Sequence, residues 1–104
     1  MTLKIQDDIL QLIRELRPAL DEIARRDGDL HRQLKRALSS VALNTAEARW
    51  RNNGNGRQRF ETAMGSANES HGCLRTADAF GYVEVDAKHL DTLDRIARSL
   101  NKLR

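Results

Sequence analysis

Apolar residues recur at steps of three and four over four stretches of the chain, the spacing that places side chains on one face of an α-helix. Helices are therefore predicted at about residues 4–26, 30–50, 57–79 and 86–103. No stretch of useful length alternates between apolar and polar residues as a β-strand does. Four amphipathic helices joined by short turns predict a single all-α domain over residues 1–104, an up-down four-helix bundle.

The second and third predicted helices differ in the size of the side chains they bury. The second should bury one stripe, made of Leu30, Leu34, Ala37, Leu38, Val41, Thr45 and Ala48. Small residues dominate the third, where Gly65 and Gly72 each cost about 1 kcal/mol relative to alanine in a helix. That cost predicts a close approach of a neighbouring helix at these glycines.

The first helix and its end carry three local signals. Pro18 removes a backbone donor inside the apolar pattern, so a kink or break is expected near Arg17. After this helix, Gly28 is expected to take a left-handed conformation. Asp29 is then expected to cap the second helix.

The boundaries of the later helices are also marked. The run from Asn52 to Gly56 contains only Asn and Gly and predicts the clearest loop of the chain. Gly81 is expected to end the third helix. Asp86 is expected to cap the fourth.

The composition is that of a folded domain, neither disordered nor membrane-spanning, with 39% hydrophobic and 32% charged residues. The four aromatic residues leave most of the core to Leu, Ile, Val and Ala. Cys73 is the only cysteine, so no internal disulfide is expected. The first eight residues hold three charges and no apolar run, which predicts no signal peptide. A reduced, cytoplasmic location is the expectation.

Charge is unevenly distributed along the chain, whose net charge is +3. Residues 25–59 hold nine Lys or Arg and three Asp or Glu, a net +6, so the remainder carries −3. A basic segment of this kind favours an anionic partner.

This basic segment surrounds one aromatic residue and predicts a contact with nucleic acid. Arginine pairs with phosphate, and an exposed indole can stack on a base. The candidate binding residues flank the Asn/Gly loop or lie on the second helix: Arg49, Trp50, Arg51, Arg57, Arg59, Arg32, Lys35 and Arg36. The alternative is a solvated end of the bundle with Trp50 folded onto the core.

Three polar residues fall near the seam between the second and third helices. We predict that Asn44, Glu47 and Glu69 form a buried polar network that fixes helix register. A ligand or metal site is the alternative. Two carboxylates and one amide, without a Glu-x-x-His pair, are too few ligands to predict a metal, and no cofactor is expected.

Histidine and cysteine residues suggest further chemistry. Arg26 and His31 match the R-[polar]-x-x-x-H spacing of helical HEPN-type ribonucleases, in which histidine acts as general acid and base and arginine stabilises phosphate charge. In this chain the pair straddles a predicted turn. His71 is expected to pack between helices, and Cys73 is interpreted as a buried structural thiol.

Three ordered motifs lie along the second and third helices and after the third. They are residues 39–47, SSVALNTAE, residues 59–69, RFETAMGSANE, and residues 80–83, FGYV. They resemble the S-x-x-x-N-x-A-E, the R-F-x-x-x-x-G-S-x-x-E and the closing G-Y-[IV] of bacterial four helix bundle proteins, a family also named for intervening sequences in 23S ribosomal RNA genes. The likeness covers nearly the whole chain. Ala48 departs from the glycine usual at that position, so the second helix is expected to continue toward Trp50.

The resemblance implies a four-helix bundle that assembles into a ring, commonly a homopentamer. It also implies kinship with the accessory variability determinant proteins of diversity-generating retroelements, which bind RNA and a reverse transcriptase. Self-association is also favoured by apolar residues beyond the clean stripes: Leu3, Leu10, Leu43 and Leu103.

These patterns together predict a non-enzymatic, oligomeric protein that binds nucleic acid, RNA rather than DNA, or acts as an adaptor. One alternative is a structural module whose partner is another protein. The other is a metal-independent ribonuclease that uses Arg26 and His31.

Overall fold

A computed structural model of the protein describes residues 4–48 and 54–104. These residues form four α-helices and no β-strand: α1 Lys4–Arg26, α2 Gly28–Ala48, α3 Gly54–Ala79 and α4 Ala87–Leu103. The predicted all-α class is confirmed. Because α3 begins before Arg57, the last part of the predicted loop is helical. Residues 49 and 50, predicted to end the second helix, lie outside the described residues.

Contacts between helices show that neighbouring helices run antiparallel. Asn44 of α2 contacts Arg59 of α3, whereas the earlier Ser40 contacts the later Ser66. Pairs between α4 and both α1 and α3 follow the same inverse order. Each helix packs against the next, and α1 closes the bundle against α4. The molecule measures 42 × 23 × 19 Å, so α3 runs almost its full length.

The core is built mainly from the predicted apolar stripes. All seven predicted residues of the α2 stripe are buried. α1 and α4 bury narrower lines of large side chains, namely Ile9, Leu12, Leu16, Ile23, Leu93, Ile96 and Leu100. Among the described residues, α3 buries mostly small side chains, including Ala63, Ala67 and Ser70. Helix α3 packs more extensively on α2 than on α4.

Gly65 and Gly72 are not the residues at which α3 approaches a neighbour. Both are exposed, and a Cβ atom added to either would meet nothing within 4 Å. The prediction of close approach at these glycines is therefore wrong within the single chain. The helical period decides which small residues of α3 are buried, and Ala63 and Ala67 are buried instead.

Pro18 does not break α1, which continues from Lys4 to Arg26. The missing proline N–H leaves the Arg14 carbonyl without its helical partner. Both Pro18 and Arg14 are on the exposed side of the helix, where water can bond that carbonyl. Buried residues on the opposite face, such as Leu16, hold the two halves of α1 against the core.

Asp27 is the single residue between α1 and α2. Its carboxylate accepts the Leu30 N–H at 3.0 Å, so Asp27, not the predicted Asp29, caps α2. That backbone hydrogen bond is the main reason that the pKa of Asp27 lies below its usual value. Gly28 already belongs to α2 and does not have a positive φ, so the predicted left-handed turn is also wrong.

The end of α3 agrees with the sequence prediction. Gly81 has a φ of 79°, in the left-handed region. Its N–H donates to the Asp78 carbonyl at 2.9 Å, and the Tyr82 N–H donates to the Ala77 carbonyl at 3.0 Å. This pair of bonds is a Schellman motif, which glycine terminates without strain. Asp86 caps α4 through a hydrogen bond of 3.0 Å, as predicted.

Thr45 is a polar residue on the buried stripe of α2. Its side chain is fully buried, and its Oγ1 makes no hydrogen bond to the described residues. Because valine has nearly the same shape and no hydroxyl, Thr45→Val should raise the free energy of unfolding by about 1 to 2 kcal/mol. Urea denaturation followed by circular dichroism measures this.

Thr92→Val is the matched control for this substitution. The Thr92 hydroxyl donates to the Lys88 carbonyl at 2.8 Å, so its removal should bring no gain. Equal changes in the two variants would mean that valine acts through helix packing in general, not through the buried hydroxyl of Thr45.

Candidate nucleic-acid-binding site

The first two turns of α3 form one side of a cavity of about 380 Å³ that we call the α3 N-terminal pocket. Its lining residues are Asn55, Gln58, Arg59 and Thr62. Amide, guanidinium and hydroxyl groups thus surround the cavity, and none of these residues carries a carboxylate. Such groups are hydrogen-bond donors, which suits an anionic oxygen.

The two longest family-like motifs meet beside this pocket. Arg59 Nη1 donates to Asn44 Oδ1 at 3.1 Å, and Asn44 Nδ2 donates to the Ser40 carbonyl and Oγ, each at 3.0 Å. Ser66 Oγ donates to Ser40 Oγ at 2.7 Å, and Ser70 Oγ donates to the Ser66 carbonyl. The residues of the S-x-x-x-N and R-F motifs therefore form one hydrogen-bonded seam between α2 and α3. The seam fixes one end of the Arg59 guanidinium.

Two exposed arginines lie in the first two turns of α3, at this pocket. Arg57 and Arg59 are both exposed, and neither has an ion-pair partner among residues 4–48 and 54–104. The first turn of α3 contains no acidic residue. Since a helix N-terminus carries a partial positive charge, the backbone and the two arginines act in the same direction here.

The predicted cations on α2 lie apart from this pocket. Arg32, Lys35 and Arg36 are near the start of α2, whereas the residue that contacts Arg59 is near its end. Along the helix axis, Arg36 and Asn44 are separated by about 12 Å. Arg32 forms an ion pair with Asp29. The structure thus divides the described part of the predicted patch into two groups.

Lys35 belongs to a separate groove between α1 and α2, with a volume of about 280 Å³. Arg17 and His31 line the same groove, above the apolar side chains of Ile13 and Leu20. Arg17 was not among the predicted binding residues, because it precedes the basic segment at residues 25–59. Arg49, Trp50 and Arg51, predicted to be the centre of the site, lie outside the described residues.

The predicted buried network of Asn44, Glu47 and Glu69 is wrong in its membership. Glu47 and Glu69 are exposed, whereas Asn44 is half-buried. The partners of Asn44 are Ser40 and Arg59 instead. Serine hydroxyls fit between closely packed helices, whereas two carboxylates there would each require a desolvated partner.

The ribonuclease-like pair is placed at the opposite end of α2 from the α3 N-terminal pocket. Arg26 is the last residue of α1, and its Nε donates to Glu22 at 2.9 Å. His31 is half-buried in the groove between α1 and α2. The arginine that would stabilise phosphate charge is thus already paired with a carboxylate.

His71 and His89 each lie near a carboxylate of another helix, and Cys73 is buried. His71 lies 3.6 Å from Asp94 and is half-buried between α3 and α4, as predicted. His89 Nε2 lies 3.1 Å from Glu15 and joins α4 to α1. Cys73 is buried, and burial raises the pKa of its thiol, so it behaves as the structural thiol predicted.

Among residues 4–48 and 54–104, no three His, Cys, Asp or Glu side chains lie close enough together to hold a metal ion. None of the four helices there is both long and apolar enough to cross a membrane.

Phe80 is an exposed aromatic residue that was not among the predicted site residues. Phe80 is 65% exposed and stacks on Tyr82, with ring centroids 5.3 Å apart. The sequence pattern predicts only that Phe80 lies at the end of the third helix, immediately before Gly81. Its position could have indicated the exposure, because an aromatic side chain at the C-terminal end of a helix and outside the buried stripe does not face the core.

No family model and no curated protein matches the chain. Among solved structures, the chain is similar to a protein of unknown function from the S23 ribosomal protein family of Bacteroides thetaiotaomicron. The two share 17% sequence identity and a TM-score of 0.73, over 95% of this chain and 93% of that one. At this identity the likeness establishes a shared small helical fold.

Proposed function

We propose that the protein is a non-enzymatic, oligomeric RNA-binding protein that contacts RNA at the α3 N-terminal pocket. The observation that carries the proposal is the described lining of the pocket, which consists of Arg59, Asn55, Gln58 and Thr62 and so contains no carboxylate. A phosphate at this place accepts hydrogen bonds from charged and neutral donors together. Arg57 adds a second exposed cation on the same turn.

The seam between α2 and α3 supports the proposal because it orients Arg59. A long arginine side chain loses rotamer freedom when it binds a phosphate, and that loss opposes binding. The hydrogen bond from Arg59 to Asn44, at 3.1 Å, already restricts the side chain before RNA arrives. The seam therefore gives the S-x-x-x-N motif a role in binding as well as in helix register.

The choice of RNA, and of a ring of five subunits, rests on the family resemblance of the three motifs. The shared fold with a protein of the S23 ribosomal protein family agrees with that resemblance. In a ring the pocket occurs once per subunit, so weak individual contacts act together. A reverse transcriptase is the protein partner that the same resemblance suggests.

Filter binding with single-stranded RNA at several salt concentrations tests the proposal. Because binding depends on phosphate contacts, the logarithm of affinity should fall linearly with the logarithm of salt, by about 0.7 for each phosphate neutralised on a single strand. Affinity should depend little on base sequence. An absence of RNA binding at low salt would refute the proposed function.

A structural assembly module is the second candidate function, and exposed apolar side chains favour it. Leu43 is 69% exposed, Leu103 47% and Leu10 36%. If the chain forms a ring of five, light scattering should give a mass about five times the 11.8 kDa of one chain. A mass of one chain at micromolar concentration would exclude the ring. Assembly without RNA binding would favour the module.

A further inference from the structure

A second cavity lies at the other end of α3, and we call it the α3 C-terminal groove. Its volume is about 550 Å³. Its lining includes one aromatic ring, one cation, an amide and a hydroxyl, from Phe80, Arg75, Asn68 and Thr76. None of its described lining residues carries a carboxylate. This groove contains none of the residues of the basic segment, so nothing in the charge pattern of the sequence indicates it.

Phe80 is held in place as a flat, exposed surface in this groove. Its ring stacks on that of Tyr82 with an angle of 18° between the planes. Tyr82 is half-buried, and its hydroxyl donates to Asp27 at 3.1 Å. The left-handed turn at Gly81 sets the direction in which the chain leaves α3. Phe80 therefore presents its ring to solvent with little freedom to fold away.

The cation beside the ring is available for an anion. Arg75 is exposed, one turn before Phe80, and has no ion-pair partner among the described residues. Asp94 of α4 lies 3.6 Å from His71, which also lines the groove. Because Phe80 and Arg75 line the same groove, its aromatic ring and its guanidinium suit a ligand that is planar at one end and anionic at the other.

Gly72 leaves room for such a ligand. It lines the groove, and a Cβ atom at this position would meet no heavy atom within 4 Å. The cost of glycine inside α3 is thus not offset by packing within the chain. A larger residue would project directly into the cavity.

We propose that the α3 C-terminal groove binds one nucleotide of a single-stranded nucleic acid. The base stacks on Phe80, the phosphate pairs with Arg75, and Asn68 and Thr76 supply hydrogen bonds to the base or sugar. Stacking on an exposed aromatic ring accepts any base, which suits recognition without sequence preference. Arg75 lies about five turns, or ~27 Å, from Arg57 on the same side of α3.

The surface around the groove favours a nucleotide over a second copy of this chain. A packed helix would need an apolar strip that continues along α3. Instead, the exposed residues of α3 from 61 to 69 are polar or glycine: Glu61, Thr62, Gly65, Asn68 and Glu69. Among the described residues that line the groove, Phe80 is the large exposed apolar side chain.

Titration of the 15N-labelled protein with adenosine 5′-monophosphate and with ribose 5-phosphate tests the proposal. Both probes carry the phosphate, and only the first carries a base. The nucleotide should bind about 5- to 100-fold more tightly, with shifts at residues 72–82. Phe80→Ala should remove the difference between the probes, and Phe80→Trp should keep it. Equal binding of the two probes, or shifts elsewhere, would overturn the proposal.

Gly72→Leu gives a second, independent test. The new side chain should raise helix stability and yet abolish nucleotide binding, so failure to fold cannot explain the loss. Gly65→Leu, also exposed on α3 but outside the groove, is the matched control and should bind normally. Unchanged nucleotide affinity in Gly72→Leu would contradict the proposed site.

Two outcomes separate this inference from others. If Phe80→Ala lowers the mass in light scattering and leaves nucleotide binding unchanged, the groove is a contact between copies of the chain and the proposal is wrong. If wild-type protein fails to bind RNA, the proposed function is wrong. If the Arg57→Ala/Arg59→Ala variant nevertheless binds the nucleotide, the α3 C-terminal groove remains supported as a nucleotide site.

Discussion

Replacing the arginines around the α3 N-terminal pocket should weaken RNA binding more than any other surface change. Arg57 and Arg59 are exposed without a described ion-pair partner, so each is free to neutralise one phosphate. At a slope of about 0.7 per contact, losing two contacts lowers affinity about 25-fold at 0.1 M salt. Replacing Arg49 and Arg51 as well should bring the loss to about 600-fold.

The salt slope is the measurement that identifies the cause. Filter binding of the Arg57→Ala/Arg59→Ala variant should show a slope reduced by about 1.4, with the same loss for every RNA sequence. Arg98→Ala/Lys102→Ala is the matched control: it removes the same charge from exposed positions on α4. If both double variants bind equally weakly, net charge rather than the pocket governs RNA binding.

Ile96→Ala should destabilise the fold by a large part of its total free energy of unfolding. Ile96 has no exposed surface, and it lies at the middle of the α4 stripe with Leu93 and Leu100 on either side. Removing a buried isoleucine side chain and leaving a cavity costs about 2 to 5 kcal/mol. Domains of this size have only about 5 to 15 kcal/mol of stability in total.

Chemical denaturation of Ile96→Ala measures this effect. Leu103→Ala is the control on the same helix, where the side chain is 47% exposed and little apolar surface returns to water. The control should lose far less stability than Ile96→Ala. A comparable loss in both would mean that Leu103 is buried in an assembly of several chains, which light scattering would then reveal.

The candidate site was only partly predictable from the sequence. The basic residues were identified from charge counts, and Arg57 and Arg59 remain candidates. The order of charges along the sequence does not, however, predict which cations lie close together in the fold. Because α2 and α3 are antiparallel, the start of α2 and the start of α3 lie at opposite ends of the bundle, which separates Arg32 from Arg59.

Buried polar residues were harder to place for a related reason. The apolar period predicted that Asn44 lies near the buried stripe of α2. It could not predict on which side of that stripe a neighbouring polar residue lies, and a residue on the outer side points to solvent. Glu47 and Glu69 lie on the exposed side, whereas the serines at 40 and 66 meet across the seam. Only the rotation of each helix within the bundle could distinguish them.

Local sequence patterns were sufficient to predict the number of helices, their order and most of the core. Period 3.6 in apolar residues needs no knowledge of neighbours, and it predicted all seven buried residues of α2. Local chemistry also predicted the end of α3 at Gly81 and the cap of α4 at Asp86, since each depends on a few adjacent residues.

Packing between the helices set the features that depend on contacts distant in sequence. Contact with the core keeps α1 continuous through Pro18, although the local pattern favours a break. Contacts between α2 and α3 join Ser40, Asn44, Arg59 and Ser66 into one seam, and the stack on Tyr82 holds Phe80 in solvent. The physical reason is the same in each case: the free energy of these arrangements comes from surfaces that meet only when the helices have packed.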